Sequence, residues 1–161
     1  MALRIGNFRA NFLSSTESFD VLFGLGGADT FELLGPGALA FGGRGADEFI
    51  FGDGDYTVHL GHDRDEDQII LQGDARFTAV GVTGFEPGTD KINLVALGVT
   101  GIDQLSIGEL GDRTFVEFNN LAVVLTDLGE ELDEDDFIFF EPLPFPEITS
   151  DPVSPDLTLG F

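Results

Sequence analysis

The chain contains no cysteine, which excludes a disulfide framework, thiolate metal centres and cysteine nucleophiles together. Basic residues are also scarce: 7 Lys and Arg, with Lys91 the only lysine, stand against 30 Asp and Glu, for a formal net charge of -23. Such a charge repels nucleic acid and anionic lipid and draws in cations. No apolar run approaches the ~20 residues of a membrane span, so no membrane insertion is expected. The opening MALRIGNFRANFLSS holds no run long enough for a secretory h-region. The acidity does not signal disorder, because 42% of the residues are hydrophobic and 17 are Phe. At 161 residues the length suits one domain, or a short solenoid with a cap. A small fold without disulfides needs another staple, and bound metal is a usual one.

What is present is organised around Gly24 to Phe51. Two matching nonapeptides, GLGGADTFE and GGRGADEFI, place Asp29 and Asp47 eighteen residues apart. Glycines followed by an alternating apolar strand, repeated in pairs, are what one coil of a parallel β-solenoid needs. Counted without a gap from Gly6, consecutive nonapeptides run to Gln68 with eighth positions Leu13, Leu22, Phe31, Ala40, Phe49, Val58 and Asp67. All but the last are apolar, which predicts one buried row per strand with side chains alternating in and out. Two nonapeptides make a coil, so sixth positions divide by parity: Asn11, Asp29, Asp47 and Asp65 form one row, and Asp20, Ala38 and Tyr56 the other. Only the first row is a ladder of oxygen ligands.

Tight, partly left-handed turns at Gly24, Gly26, Gly27, Gly42, Gly43 and Gly45 aim backbone carbonyls inward. Coils ~4.8 Å apart let carbonyls and carboxylates of neighbouring turns share a cation at ~2.4 Å. All-oxygen ligation of this kind suits Ca2+ better than zinc, copper or magnesium. The candidate ligands are Asp29, Asp47, Asp63 and Asp65 by carboxylate, and Gly24, Gly26, Gly42, Arg44 and Gly45 by backbone carbonyl. Asp53, Asp55, Asp67 and Asp90 stay open as further ligands. Without metal the stacked carboxylates repel one another, so the roll is expected to fold on calcium addition.

GGRGADEFI resembles the GGxGxDxUx calcium nonapeptide of the RTX (repeat-in-toxin, haemolysin-type) proteins at every defined position, and GLGGADTFE does so with Leu25 for the second glycine. LLGPGALAF and FGDGDYTVH are degenerate, with Ala38 and Tyr56 in place of the aspartate. FEPGTDKINLVALG, from Phe85, and DEDDFIF, from Asp133, resemble the C-terminal cap of serralysin-type metalloproteases and of the R-modules of bacterial alginate epimerases. Gly84 and Asn93 depart from that pattern, whereas Asp90 retains it. The resemblance implies an all-β fold, a short right-handed parallel β-roll followed by an antiparallel β cap, with calcium held by aspartates and carbonyls of paired turns. The expected organisation is a roll over 1–75, a cap over 76–140 and a Pro-rich extended tail over 141–161 ending in the apolar tip Leu157 to Phe161. Within the cap, RTFVEF and LAVVLT joined by Asn119-Asn120 read as a hairpin.

The acidic run Asp63, Asp65, Asp67, Asp74 imitates an EF-hand loop, but Gln68 stands where that loop needs glycine and no flanking helices are evident. Asp63 or Asp65 is expected to close the last site against Asp47. His59 and His62 lack a HExxH frame and read as surface residues. No HExxH and no GxSxG occurs, so the chain is not expected to be an enzyme. Two roles follow: a secreted, self-assembling extracellular filament or surface-layer subunit, built by head-to-tail homo-oligomers, or a non-catalytic folding, secretion or polysaccharide-targeting module of a larger secreted enzyme. The family resemblance implies export through a type I secretion apparatus, with folding in external calcium.

Overall fold

The computed structural model describes residues 1–61, 63–72 and 78–144; His62, Asp74 and the apolar tip of the tail lie outside them. Strands alternate between two sheets as the chain advances. Strands β1 (Leu3–Ile5), β3 (Val21–Phe23), β5 (Leu39–Phe41), β7 (Gly54–His59) and β9 (Thr78–Thr83) enter one sheet, which we call sheet A. Strands β2 (Phe12–Ser15), β4 (Thr30–Leu33), β6 (Glu48–Phe51), β8 (Gln68–Ile70) and β10 (Lys91–Asn93) enter sheet B. Pairing between successive strands of each sheet is parallel. The fold is therefore all-β with a parallel β-roll, as the nonapeptides predict, and among the described residues the only helical segments are short 3₁₀ turns.

The register explains the repeat. Leu22 faces Ala40 and Ala40 faces Val58 in sheet A, while Leu13 faces Phe31 and Phe31 faces Phe49 in sheet B. These eighth positions close on one another between the sheets: Leu22, Phe31, Ala40, Phe49 and Val58 are fully buried. Phe31 and Phe49 stack with centroids 4.7 Å apart. Burying each of the Leu, Phe and Val side chains contributes about 1.5–3 kcal/mol, so the apolar row is a large part of the cohesion between coils.

Parallel pairing continues past residue 75, the expected end of the roll, because β9 and β10 each add another layer. Sheet A then turns antiparallel through β11 (Ser106–Leu110), β12 (Arg113–Phe118) and β13 (Leu121–Thr126), with β13 lying parallel to β9. The expected hairpin is present: Phe118 faces Leu121 across a turn in which Asn119 takes φ 53, a conformation asparagine tolerates. The DDFIF segment supplies β14 (Phe137–Ile138), which joins β10 in parallel and completes sheet B.

Candidate metal centre

The turns leading from sheet A into sheet B stack on one side of the roll and carry the sixth-position residues. Each rung grips the next through one carboxylate oxygen. The backbone N–H of Asn11 donates to Asp29 Oδ1 at 2.7 Å, that of Asp29 to Asp47 Oδ1 at 2.8 Å, that of Asp47 to Asp67 Oδ1 at 2.8 Å, and that of Asp67 to Asp90 Oδ1 at 2.9 Å. The four acceptor aspartates are all buried. A carboxylate that satisfies one N–H with Oδ1 still has Oδ2 to account for, and here the rungs divide.

Asp29 Oδ2 and Asp47 Oδ2 are buried without any hydrogen-bond partner. Two aspartates further along the same side have both oxygens met by protein. Asp90 Oδ2 accepts from the N–H of Glu86, and Asp136, in the 3₁₀ turn before β14, accepts from Gly88 through Oδ1 and from Asp133 through Oδ2. On the opposite side of the roll Asp20 is likewise closed, by the N–H groups of Ala2 and Glu17, and the positions above it are the buried Ala38 and Tyr56. Tyr56 packs against Phe51 and donates its hydroxyl to the Asp53 carbonyl. That side is filled with protein.

An unpartnered buried carboxylate oxygen is costly unless something absent from the polypeptide meets it. The space beside it has the right lining. A Cβ placed on Gly24 would strike Asp29 Oδ2 and approach the Gly42 carbonyl oxygen to 2.6 Å; one placed on Gly42 would strike Asp47 Oδ2. A Cβ on Gly6 would likewise meet the Gly24 carbonyl oxygen at 2.8 Å, and one on Gly26 would lie 3.5 Å from that of Arg44. Glycine is thus required at 24 because a carboxylate and a carbonyl converge there, and at 42 because a carboxylate does, not because of φ. Left-handed backbone falls on neighbouring residues instead: Gly27, Gly43 and Gly45, with φ 97, 110 and 105, and Leu25 with φ 78.

The electrostatics agree. Burial pushes the Asp47 carboxyl up to about 7, offset in part by the Asp29 N–H and reinforced by the charges of Asp29, Asp63 and Asp65. Burial likewise raises Asp67 to about 8 and Asp90 to about 6, and raises Asp29. Asp20 behaves oppositely: desolvation pulls it up, but the N–H groups of Ala2, Glu17 and Thr16 and the terminal ammonium hold it below the usual carboxylate range.

Of the predicted ligands, Gly24, Gly26 and Asp29 sit in the β3–β4 turn and Gly42, Arg44, Gly45 and Asp47 in the β5–β6 turn directly beside it. Asp63 reaches that turn from the β7–β8 loop, where its Oδ2 accepts from the Gly45 N–H at 2.6 Å. Asp65 is exposed, and its N–H donates to Asp63 Oδ1. The fourth rung belongs to Asp67. The step from Asp47 to Asp67 is 20 residues, where the step from Asp29 to Asp47 is 18, so the β7–β8 loop carries two extra residues and Arg64 turns through φ 68 within it. Among the described residues no three His, Cys, Asp or Glu side chains gather closely enough to hold a metal by themselves. Any cation held here would need backbone carbonyls as well. Hard oxygen donors, few of them charged, in a carbonyl-rich turn fit calcium.

No protein-family model matches the chain, and no curated protein matches it. The solved structures similar to it include two solution structures of subunits of an Azotobacter vinelandii mannuronan C5-epimerase. The AlgE6R2 subunit is 24% identical over 89% of this chain and 94% of that chain, with a TM-score of 0.40. The AlgE6R3 subunit is 21% identical over 83% of this chain and 80% of that chain, with a TM-score of 0.34.

Proposed function

We propose that this chain is a calcium-dependent, non-catalytic β-roll that works outside the cell. The observation that carries the reading is the pair of buried, unpartnered oxygens, Asp29 Oδ2 and Asp47 Oδ2, each beside a glycine whose missing side chain leaves room for an ion. Asp29 with the Gly42 carbonyl would hold one ion, and Asp47, facing the acidic Asp63 to Asp65 loop, a second. Bound calcium supplies the positive charge that lets the stacked carboxylates stay ionised in a buried row. The protein holds Oδ1 of each rung by the neighbouring N–H and thereby aims Oδ2 at the glycine.

Affinity follows ligand charge. A site with one buried carboxylate oxygen and otherwise neutral carbonyls belongs to the weak, ~10⁻⁴–10⁻³ M class typical of extracellular modules. Such a site is empty at cytosolic calcium and filled outside, which makes folding conditional on export. The test is a calcium titration of the chelated chain followed by far-UV circular dichroism, with magnesium as the control. Sheet signal should appear with calcium and not with magnesium at equal concentration; an identical native spectrum in chelator and in calcium overturns the reading.

A further inference from the structure

One inner-facing row of sheet A can be followed from edge to edge: Arg4, Leu22, Ala40, Val58, Val82, Leu125, Thr114, Glu109. Every residue between its ends is buried. At the ends, Arg4 on β1 and Glu109 on β11 are exposed, and among the described residues neither makes an ion pair. Among the described residues both strands are free edges, since the sheet runs β1-β3-β5-β7-β9-β13-β12-β11. They also run in the same direction, because β11 is antiparallel to β12, β12 to β13, and β13 is parallel to β9.

We propose that the β1 edge of one copy docks on the β11 edge of the next, head to tail. A copy displaced along the roll axis keeps the rows of the sheet in line, so Arg4 falls beside Glu109. The adjoining row ends in Ile5 on β1 and in Leu110 on β11, respectively 59% and 73% exposed. Leu3 meets Gly108, which leaves it room. Opposite charges and apolar pairs directly across strands stabilise a sheet, and free edges supply the unpaired backbone groups. The wider charge distribution matches. Residues before Glu17 carry Arg4 and Arg9 and no acid, whereas between Ser106 and Asp136 Arg113 is the only basic residue among many acids. A heterologous contact of this kind does not close on itself and propagates as a filament. A second copy is the occupant because this chain's own far edge offers the complementary charge in the same row.

The proposal rests on the calcium-filled roll, so folding is followed separately by circular dichroism. Analytical ultracentrifugation of the full chain in calcium should show mass rising with concentration beyond a dimer and falling with added salt. Arg4→Glu and Glu109→Arg should each leave a folded monomer, and the double exchange in one chain should restore assembly. A folded wild-type monomer at all concentrations overturns the proposal, with Arg4 and Glu109 then acting as edge guards. So does assembly that survives either single exchange, which would indicate a head-to-head contact or pairing by other surfaces. Loss of sheet signal in calcium overturns the calcium reading beneath it.

Discussion

The backbone N–H of Asp29 donates to Oδ1 of Asp47, 2.8 Å away, while Oδ2 of the same carboxylate is buried with no partner. One oxygen ties two coils together and the other faces a gap beside Gly42.

Asp47→Asn keeps an oxygen for the Asp29 N–H and removes the buried charge. Calcium affinity should fall at least about tenfold, ~1.4 kcal/mol, by isothermal titration. In chelator the same variant should be more stable than wild type, because an uncompensated buried carboxylate has gone. Asp20→Asn should instead change stability alike with and without calcium, since both Asp20 oxygens are met by backbone N–H groups.

Gly24→Ala places a methyl where Asp29 Oδ2 and the Gly42 carbonyl converge. It should abolish the ion at that position and destabilise the roll by about 1–3 kcal/mol, measured by denaturant unfolding in calcium. Gly108→Ala, with nothing near its Cβ position, is the matched control and should leave calcium stoichiometry unchanged.

Leu25 occupies a left-handed conformation, φ 78, at the position where the next coil has Gly43, φ 110. Left-handed backbone costs a non-glycine residue about 1–2 kcal/mol. Leu25 is 40% exposed and buries only part of its side chain. Leu25→Gly should therefore raise stability by about 1 kcal/mol, seen as a higher denaturant midpoint in calcium.

Folded-state carboxyls at about 7 for Asp47, about 8 for Asp67 and about 6 for Asp90 lie above the ordinary value of 3.8. Protons thus bind the folded state more tightly than the unfolded chain. The stability they contribute to the metal-free roll is complete below the ordinary carboxylate range and is lost as pH rises through these raised values. In chelator the chain should regain more sheet signal near pH 5 than near pH 8. In calcium the trend reverses, because protons compete with the ion for the same oxygens. Far-UV circular dichroism at the two pH values, with chelator and with calcium, checks both directions.

The roll was legible because its cohesion repeats: the eighth-position row from Leu13 to Val58 and the rungs Asn11, Asp29 and Asp47 stand where nine-residue counting puts them. Counting failed at the β7–β8 loop, which lengthens by two residues and moves the fourth rung from Asp65 to Asp67. The signal was there. Gapless counting put Asp67 in a buried apolar row, a misfit that disappears once two residues are inserted and Ile69 takes that place opposite Phe49. What no repeat could reveal was which aspartates are satisfied by protein. Asp90 and Asp136 owe their closure to Glu86, Gly88 and Asp133 in irregular turns, and such hydrogen bonds leave no periodic trace. That Arg4 and Glu109 end the same row was equally hidden, because it needs the register of every strand between them.

The most direct test of the central claim is the anomalous signal from crystals grown in calcium. Peaks are expected on Asp29 Oδ2 and Asp47 Oδ2, and none at Asp20 or Asp136. A native roll with no ion at either Asp29 or Asp47 would contradict it.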